Sequence, residues 1–144
     1  MNFFNKILNP RKHEENKGEG GEGQREGLEE EESPSIEFTT LVESKETTSP
    51  KIGQKVEIQY KGILKATGEP FDLDHSETSL FYELGSPDQI QCWNEAIPML
   101  GRGQLIKLIC PAELAYGKDG RPPLVPPDSE LIYYMKLMDF KDQE

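Results

Sequence analysis

Apolar and polar residues change their period several times along this chain, and the changes mark its elements. Residues 36–42, Ile-Glu-Phe-Thr-Thr-Leu-Val, are rich in β-branched and apolar types and read as a strand. Ser49-Pro50 and Gly53 mark a loop. Val56, Ile58 and Tyr60 then alternate with Glu57, Gln59 and Lys61, the period of two of a strand with one buried face. Gly62 ends the clean alternation, Ile63-Leu64 continue it loosely, and Thr67-Gly68-Glu69-Pro70 reads as a turn. Ser79–Leu84 is a further short strand. After Gly85 comes the one good helix signal: Ser86 as N-cap, Pro87 at the first helical position and Gln89 completing a capping box. Ile90, Trp93 and Ile97 fall on one face of that helix, and Pro98 stops it. Leu105–Cys110 is a strongly apolar strand, and Leu131, Tyr133, Met135 and Leu137 alternate in the last. Between these two, residues 111–129 form a long loop with five prolines, a length that is usually functional. About five strands and one short helix predict an α+β fold, an antiparallel sheet with the helix lying across it.

Charge divides the chain further. Residues 1–13 carry Lys6, Arg11 and Lys12 and no acid; residues 14–32 carry nine glutamates against Lys17 and Arg25, with Leu28 the only large apolar side chain. The second stretch cannot bury enough surface to offset its ordering entropy, so residues 1–33 are expected to form a disordered acidic extension and residues 34–144 one compact domain. Its Glu run reads as a solvated spacer, or as a docking tail for a basic partner. The net charge of −11 argues against nucleic acid and against an anionic membrane surface. No apolar run is long enough to span a membrane. Cys92 and Cys110 have no zinc spacing and form no redox pair by motif; reduced, buried thiols are expected, which suits a cytoplasmic location. Residues 1–13, with Phe3, Phe4, Ile7 and Leu8, leave an organellar targeting segment or a docking helix as alternatives; the apolar stretch is too short and interrupted for a signal peptide.

Conventional catalytic machinery is almost absent. Neither cysteine has a histidine near it in sequence, His13 and His75 are too scattered for a metal site, and the glycines form no phosphate-cradling fingerprint. His75 falls in the loop after Phe71-Asp72 and receives no role. Asp72 and Asp74 are the nearest thing to paired carboxylates, with nothing else to indicate a sugar site. What remains is aromatic: Trp93, the only tryptophan, with Tyr60, Phe71, Phe81, Tyr82, Tyr116 and Tyr133. By helical face alone Trp93 reads as core, and Tyr60 and Tyr133 as half-buried strand residues. Tyr116, between Ala115 and Gly117 in the long loop, either stands exposed or anchors that loop. Together, a bulky indole, aromatic walls and a few polar groups are the parts of an apolar binding cleft.

A set of short motifs gives the cleft a more definite reading. Gly53-Gln54, Tyr60-x-Gly62, Phe71-Asp72, Leu84-Gly85, Gln89-Ile90-x-x-Trp93, Met99-x-x-Gly-x-Gly103-Gln104, Ala115-Tyr116-Gly117 and Pro126-Pro127 stand in the order and spacing of the FKBP-type peptidyl-prolyl isomerases. The chain resembles that family from about residue 36 to 140. The resemblance implies a half-barrel antiparallel sheet wrapped around the short helix. Trp93 would be the floor of the cleft; Tyr60, Phe71 and Tyr133 its walls; Asp72, the Ile90 N–H and the Tyr116 hydroxyl its polar handles. Leu124 and Val125 would close over the ligand. Several positions depart from the usual pattern. Leu80 stands where an aromatic is common, Gln89 where an aliphatic residue is usual, Cys92 in place of a glycine, Arg121 where histidine is frequent, and Tyr133 in place of phenylalanine, bringing a hydroxyl that needs a partner.

The implied function is peptidyl-prolyl cis-trans isomerisation in protein folding, as a chaperone-like rotamase working without cofactor or metal. Proline-containing peptides and client proteins are its implied partners, rapamycin-class macrolides its implied inhibitors, and a monomer its implied state. The alternative is a non-catalytic FKBP-like module, or scaffold, that binds a proline-containing partner in the same cleft. The substitutions at Leu80, Gln89 and Arg121 favour that alternative.

Overall fold

The computed structural model describes residues 33–72 and 74–143, so the acidic extension lies outside the described residues apart from Ser33. Five strands form one antiparallel sheet: β1 (Glu37–Val42), β2 (Lys55–Leu64), β3 (His75–Glu83), β4 (Leu105–Cys110) and β5 (Leu131–Lys141). Their order across the sheet is β1-β4-β5-β2-β3. β5 is therefore central, and it pairs with β2 along nearly their whole lengths, from Lys55↔Lys141 to Leu64↔Leu131. The period-two pattern sets which face is covered. Val56, Ile58 and Tyr60 of β2 and Leu131, Tyr133, Met135 and Leu137 of β5 point to one side and enter the main core. Ile132 and Tyr134 point the other way and form a small second cluster with Leu105.

The only helix among the described residues, α1 (Gln91–Ala96), lies on the main-core face and is followed by a 3-10 turn, Ile97–Met99. Cys92, Trp93, Ala96 and Ile97 contribute its buried side. The helix starts later than its capping signal predicts. Ile90 is the N-cap, extended at φ −63° and ψ 148°, with no side-chain cap. The Ser86 hydroxyl accepts instead from the Asp88 N–H within the preceding turn (3.1 Å). Six residues of uncapped helix are not stable alone, so tertiary contacts hold α1 in place. Asn94 supplies polar ones: its carbonyl accepts from the Tyr82 hydroxyl and the Gly85 N–H (2.9 Å each), and its amide donates to the Ser86 carbonyl (2.9 Å).

Two further expectations change. β3 begins at His75 rather than Ser79, because the Asp74 carboxylate accepts the Ser76 N–H (2.9 Å) and so turns the chain into the ladder. His75 thereby leaves the expected loop and pairs with Tyr60 across a register shift. The cysteines are buried as expected, but they are not thiols: Cys92 of α1 and Cys110 at the end of β4 form a disulfide. Spacing could not reveal this, since the pairing depends on α1 lying against the end of β4. The argument for a cytoplasmic location from free thiols falls with it.

The disulfide closes a loop of eighteen residues. By chain entropy it should stabilise the domain by about 3 kcal/mol, on the order of 10 °C in Tm. Thermal unfolding with and without reductant, and of the Cys92→Ala/Cys110→Ala double variant, checks this; unchanged melting would show that the bond restrains little.

Candidate functional site

Trp93 is surrounded by rings. Tyr60 and Tyr133 meet it edge-on, with centroids 4.7 and 5.3 Å away, and Tyr82 lies tilted at 6.0 Å. Tyr60 and Tyr133 touch at 5.8 Å, and Phe71 closes against Tyr133 at 5.6 Å, both edge-to-face. These are the arrangements that aromatic quadrupoles favour. Trp93, Tyr60, Phe71 and Tyr133 are all buried, so the indole underlies the site without forming open surface. Its Nε1–H has no hydrogen-bond partner within the protein, an orphan donor of the kind that costs about 1–3 kcal/mol.

Gly62 makes the ring cluster sterically possible. A Cβ there would lie 2.7 and 2.9 Å from Phe71 ring atoms and 2.9 Å from the Tyr133 ring. Phe71 reaches this position because Pro70 bridges to Ile63 and the Phe71 N–H donates to the Gly62 carbonyl (3.4 Å). The strand runs on through Gly62 to Leu64, in line with the loose alternation of Ile63-Leu64; it gives up a side chain at Gly62 to admit two rings.

Polar groups sit at the rim. The Tyr60 hydroxyl donates to the Asp72 carboxylate (2.9 Å), and burial first, then the Asp72 charge, pushes its pKa up. Tyr116 follows a 3-10 turn, Ala112–Leu114, whose Ala112 carbonyl accepts from both Ala115 and Gly117 N–H. Arg121 Nη1 donates to the Tyr116 hydroxyl (3.1 Å). Burial above all, and then the proximity of Tyr116, hold Tyr133 neutral. Arg121 and Val125 exchange backbone hydrogen bonds of 2.8 and 3.0 Å, which ties off the tip of the proline-rich loop. Between that tip and Phe71-Asp72 lies a cleft of about 410 Å³, lined also by Pro70, Pro122, Pro123 and Leu124.

The structure thus brings together Tyr60, Phe71, Asp72, Trp93, Tyr116, Tyr133 and Arg121. Leu124 is exposed at the cleft, whereas Val125 is buried in the core and anchors the loop. Leu80 is partly buried against the core and does not line the cleft. Gln89 and Ile90 line a neighbouring hollow of about 440 Å³. There the Ile90 N–H is already engaged, by the Gln89 side-chain carbonyl at 3.0 Å. His75 joins the site unannounced: its ring stacks on the outer face of Tyr60 at 4.9 Å. No sequence signal marks it, because its placement depends on the register shift between β2 and β3. Among the described residues no group of three or more His, Cys, Asp or Glu could hold a metal.

A family model described as FKBP-type peptidyl-prolyl cis-trans isomerase matches residues 46–138. The chain is 38% identical over 93 residues to the peptidyl-prolyl cis-trans isomerase Fkbp12 of Drosophila melanogaster, covering 64% of this chain and 85% of that one. It is 36% identical over 90 residues to FPR2 of Saccharomyces cerevisiae, covering 62% of this chain and 67% of that one. It is likewise 36% identical over 84 residues to FKBP20-1 of Arabidopsis thaliana, 58% of this chain and 44% of the relative. Both are also named peptidyl-prolyl cis-trans isomerases.

Two outcomes follow from the packing. Gly62→Ala should force Phe71 and Tyr133 apart and destabilise by about 1–3 kcal/mol; binding of a prolyl ligand should weaken even at temperatures where the variant stays folded, which titration beside a melting curve resolves. The second concerns alkali. Burial raises the hydroxyl pKa values of Tyr60, Tyr82, Tyr133 and Tyr134 in the folded state. Below about pH 10 both states keep these protons and stability is full; above it the unfolded chain ionises first, so stability falls. Tm should therefore hold up to about pH 9 and drop beyond about pH 10, with the tyrosinate absorbance of these four residues appearing only on unfolding.

Proposed function

The chain belongs to the FKBP-type peptidyl-prolyl cis-trans isomerase family, and on that premise we propose that the aromatic cleft is where it turns X-Pro bonds. Its activity is that of the family, cis-trans isomerisation of prolyl peptides. The barrier of about 18–20 kcal/mol arises from partial double-bond character, so lowering it needs no bond to be made. The planar amide carries separated charge that the twisted one loses. An apolar, ring-lined cleft solvates the first poorly and accommodates the second.

The observation that carries this assignment is the Tyr116 hydroxyl. A hydroxyl offers one donor and two acceptor positions. Arg121 donates to the acceptor side, which leaves the Tyr116 proton for an incoming carbonyl oxygen. The same proton orients the substrate in the bent conformer, a gain specific to the transition state. The Ile90 N–H is the complementary donor, and a substrate carbonyl reaches it by displacing Gln89 Oε1. Clients in protein folding and rapamycin-class macrolides are the ligands proposed for this cleft. An oxidising compartment is the proposed location, and the Cys92–Cys110 disulfide supports that reading. Thiol trapping in intact cells checks that; alkylatable Cys92 and Cys110 would return it to the cytosol.

Cis-to-trans relaxation of a short Leu-Pro peptide tests the activity. Acceleration well beyond the uncatalysed 10–100 s timescale is expected. Tyr116→Phe, which keeps the ring, should lower kcat/KM about 5- to 10-fold, the worth of one hydrogen bond. A saturating macrolide should abolish turnover. Uncatalysed kinetics with intact peptide binding would make the domain a binding module.

A further inference from the structure

Arg121 is the cation of the cleft, and its position is fixed from three sides. The backbone exchange with Val125 holds its Cα at the loop tip. One guanidinium nitrogen is spent on the Tyr116 hydroxyl, and the guanidinium carbon lies 5.4 Å from the centroid of the Tyr116 ring. The residue is nonetheless exposed. A guanidinium carries five N–H donors in a planar fork, so most of its donors remain for a ligand. Among the described residues the close ion pairs are Lys65–Glu130, Arg102–Glu46 and Arg102–Asp139, and none includes Arg121. Its charge nevertheless reaches the site, since it acts to lower the Tyr60 pKa against the larger effects that raise it.

We propose that Arg121 makes this cleft selective for prolyl segments that carry a carboxylate side chain, Glu or Asp, next to the proline. The proposal rests on the isomerase assignment of the same cleft. A carboxylate there forms a charge-assisted pair with a guanidinium whose geometry is already set, so little side-chain entropy is lost. The rest of the molecule works in the opposite direction: the net charge is −11, and Asp72 lines the same cleft. The chain's overall field disfavours an acidic peptide, and only the local cation reverses the preference. Phosphorylated Ser or Thr before proline offers the same kind of anion. The rim is open and singly cationic, which fits one carboxylate better than a dianion.

The test compares peptides that differ only beside the proline, with Leu, Gln, Glu, phosphoserine or Lys before it and, in a second set, after it. Binding is read by titration and turnover by cis-to-trans relaxation, for the wild type, Arg121→Gln and Arg121→Lys. Glu should exceed isosteric Gln by about 3- to 5-fold in kcat/KM and in affinity at low salt, in at least one of the two sets, the range of an exposed ion pair. Raising salt should shrink the ratio. Arg121→Gln should bring it below one, and Arg121→Lys should keep part of it. General damage to Tyr116 positioning lowers all peptides alike and cancels in the ratio. A Glu-to-Gln ratio equal in wild type and Arg121→Gln overturns the proposal, as does phosphoserine exceeding Glu. Selective turnover of the Leu peptide alone would leave the isomerase standing without acid selection. A Glu preference in binding that Arg121→Gln removes, with no turnover of any peptide, would instead sink the isomerase assignment and keep Arg121 as the selecting residue.

Discussion

Everything in this fold that bears on function rests on the edge-to-face packing of Trp93 against Tyr60 and Tyr133. Those tyrosines come from β2 and β5, the two central and most extensively paired strands, and the indole comes from a helix too short and too poorly capped to stand alone. The ring contacts therefore join the helix to the sheet and underlie the site at once. The arrangement tolerates little change in volume. Gly62 gives up its side chain for Phe71 and Tyr133, and the indole N–H goes unpartnered inside the protein. An unsatisfied donor and a missing side chain in one cluster are local costs, and such costs gather where a protein does its chemistry.

The rim shows a second principle. The polar groups of the site are engaged with one another before any ligand arrives: Tyr60 with Asp72, Tyr116 with Arg121 and, in the neighbouring hollow, the Ile90 N–H with Gln89. Internal pairing avoids the cost of leaving buried polar atoms bare, and it fixes rotamers in advance. It also means that a ligand exchanges hydrogen bonds rather than adding them. Affinity then depends on how well each native partner is replaced, so Gln89 and Arg121 weigh on partner choice more than the ring cluster does.

The sequence made the sheet legible because four of its five strands carry period-two or β-branched runs longer than a turn. The site residues were legible through their motifs, not through their chemistry, since nothing titratable singles them out. What stayed hidden was register. His75 reaches Tyr60 only through a shift in the β2–β3 ladder. Cys92 meets Cys110 only because α1 lies against the end of β4. The capping box at Ser86 misled for a related reason: Gln89 spends its side chain on the adjacent Ile90 N–H and Ser86 its hydroxyl on Asp88, so two good cap residues serve a turn. Val125 reads as a ligand contact until the Arg121–Val125 backbone pair turns its side chain into the core.

The place of β5 has a consequence for how such a chain leaves the ribosome. Its neighbours in the sheet are β4 and β2, while β1 pairs only with β4 and β3 only with β2. Until residues 131–141 emerge, synthesis yields at most the β2–β3 hairpin and the long-range β1–β4 pair, whose apolar side chains β5 unites. Closing Lys55 onto Lys141 is a long-range event, and loop-closure entropy makes it slow. The nascent domain therefore cannot fold piece by piece as it is made; it waits, exposed, for its last strand. A protein whose family helps others through a slow step is, by its own topology, a late folder.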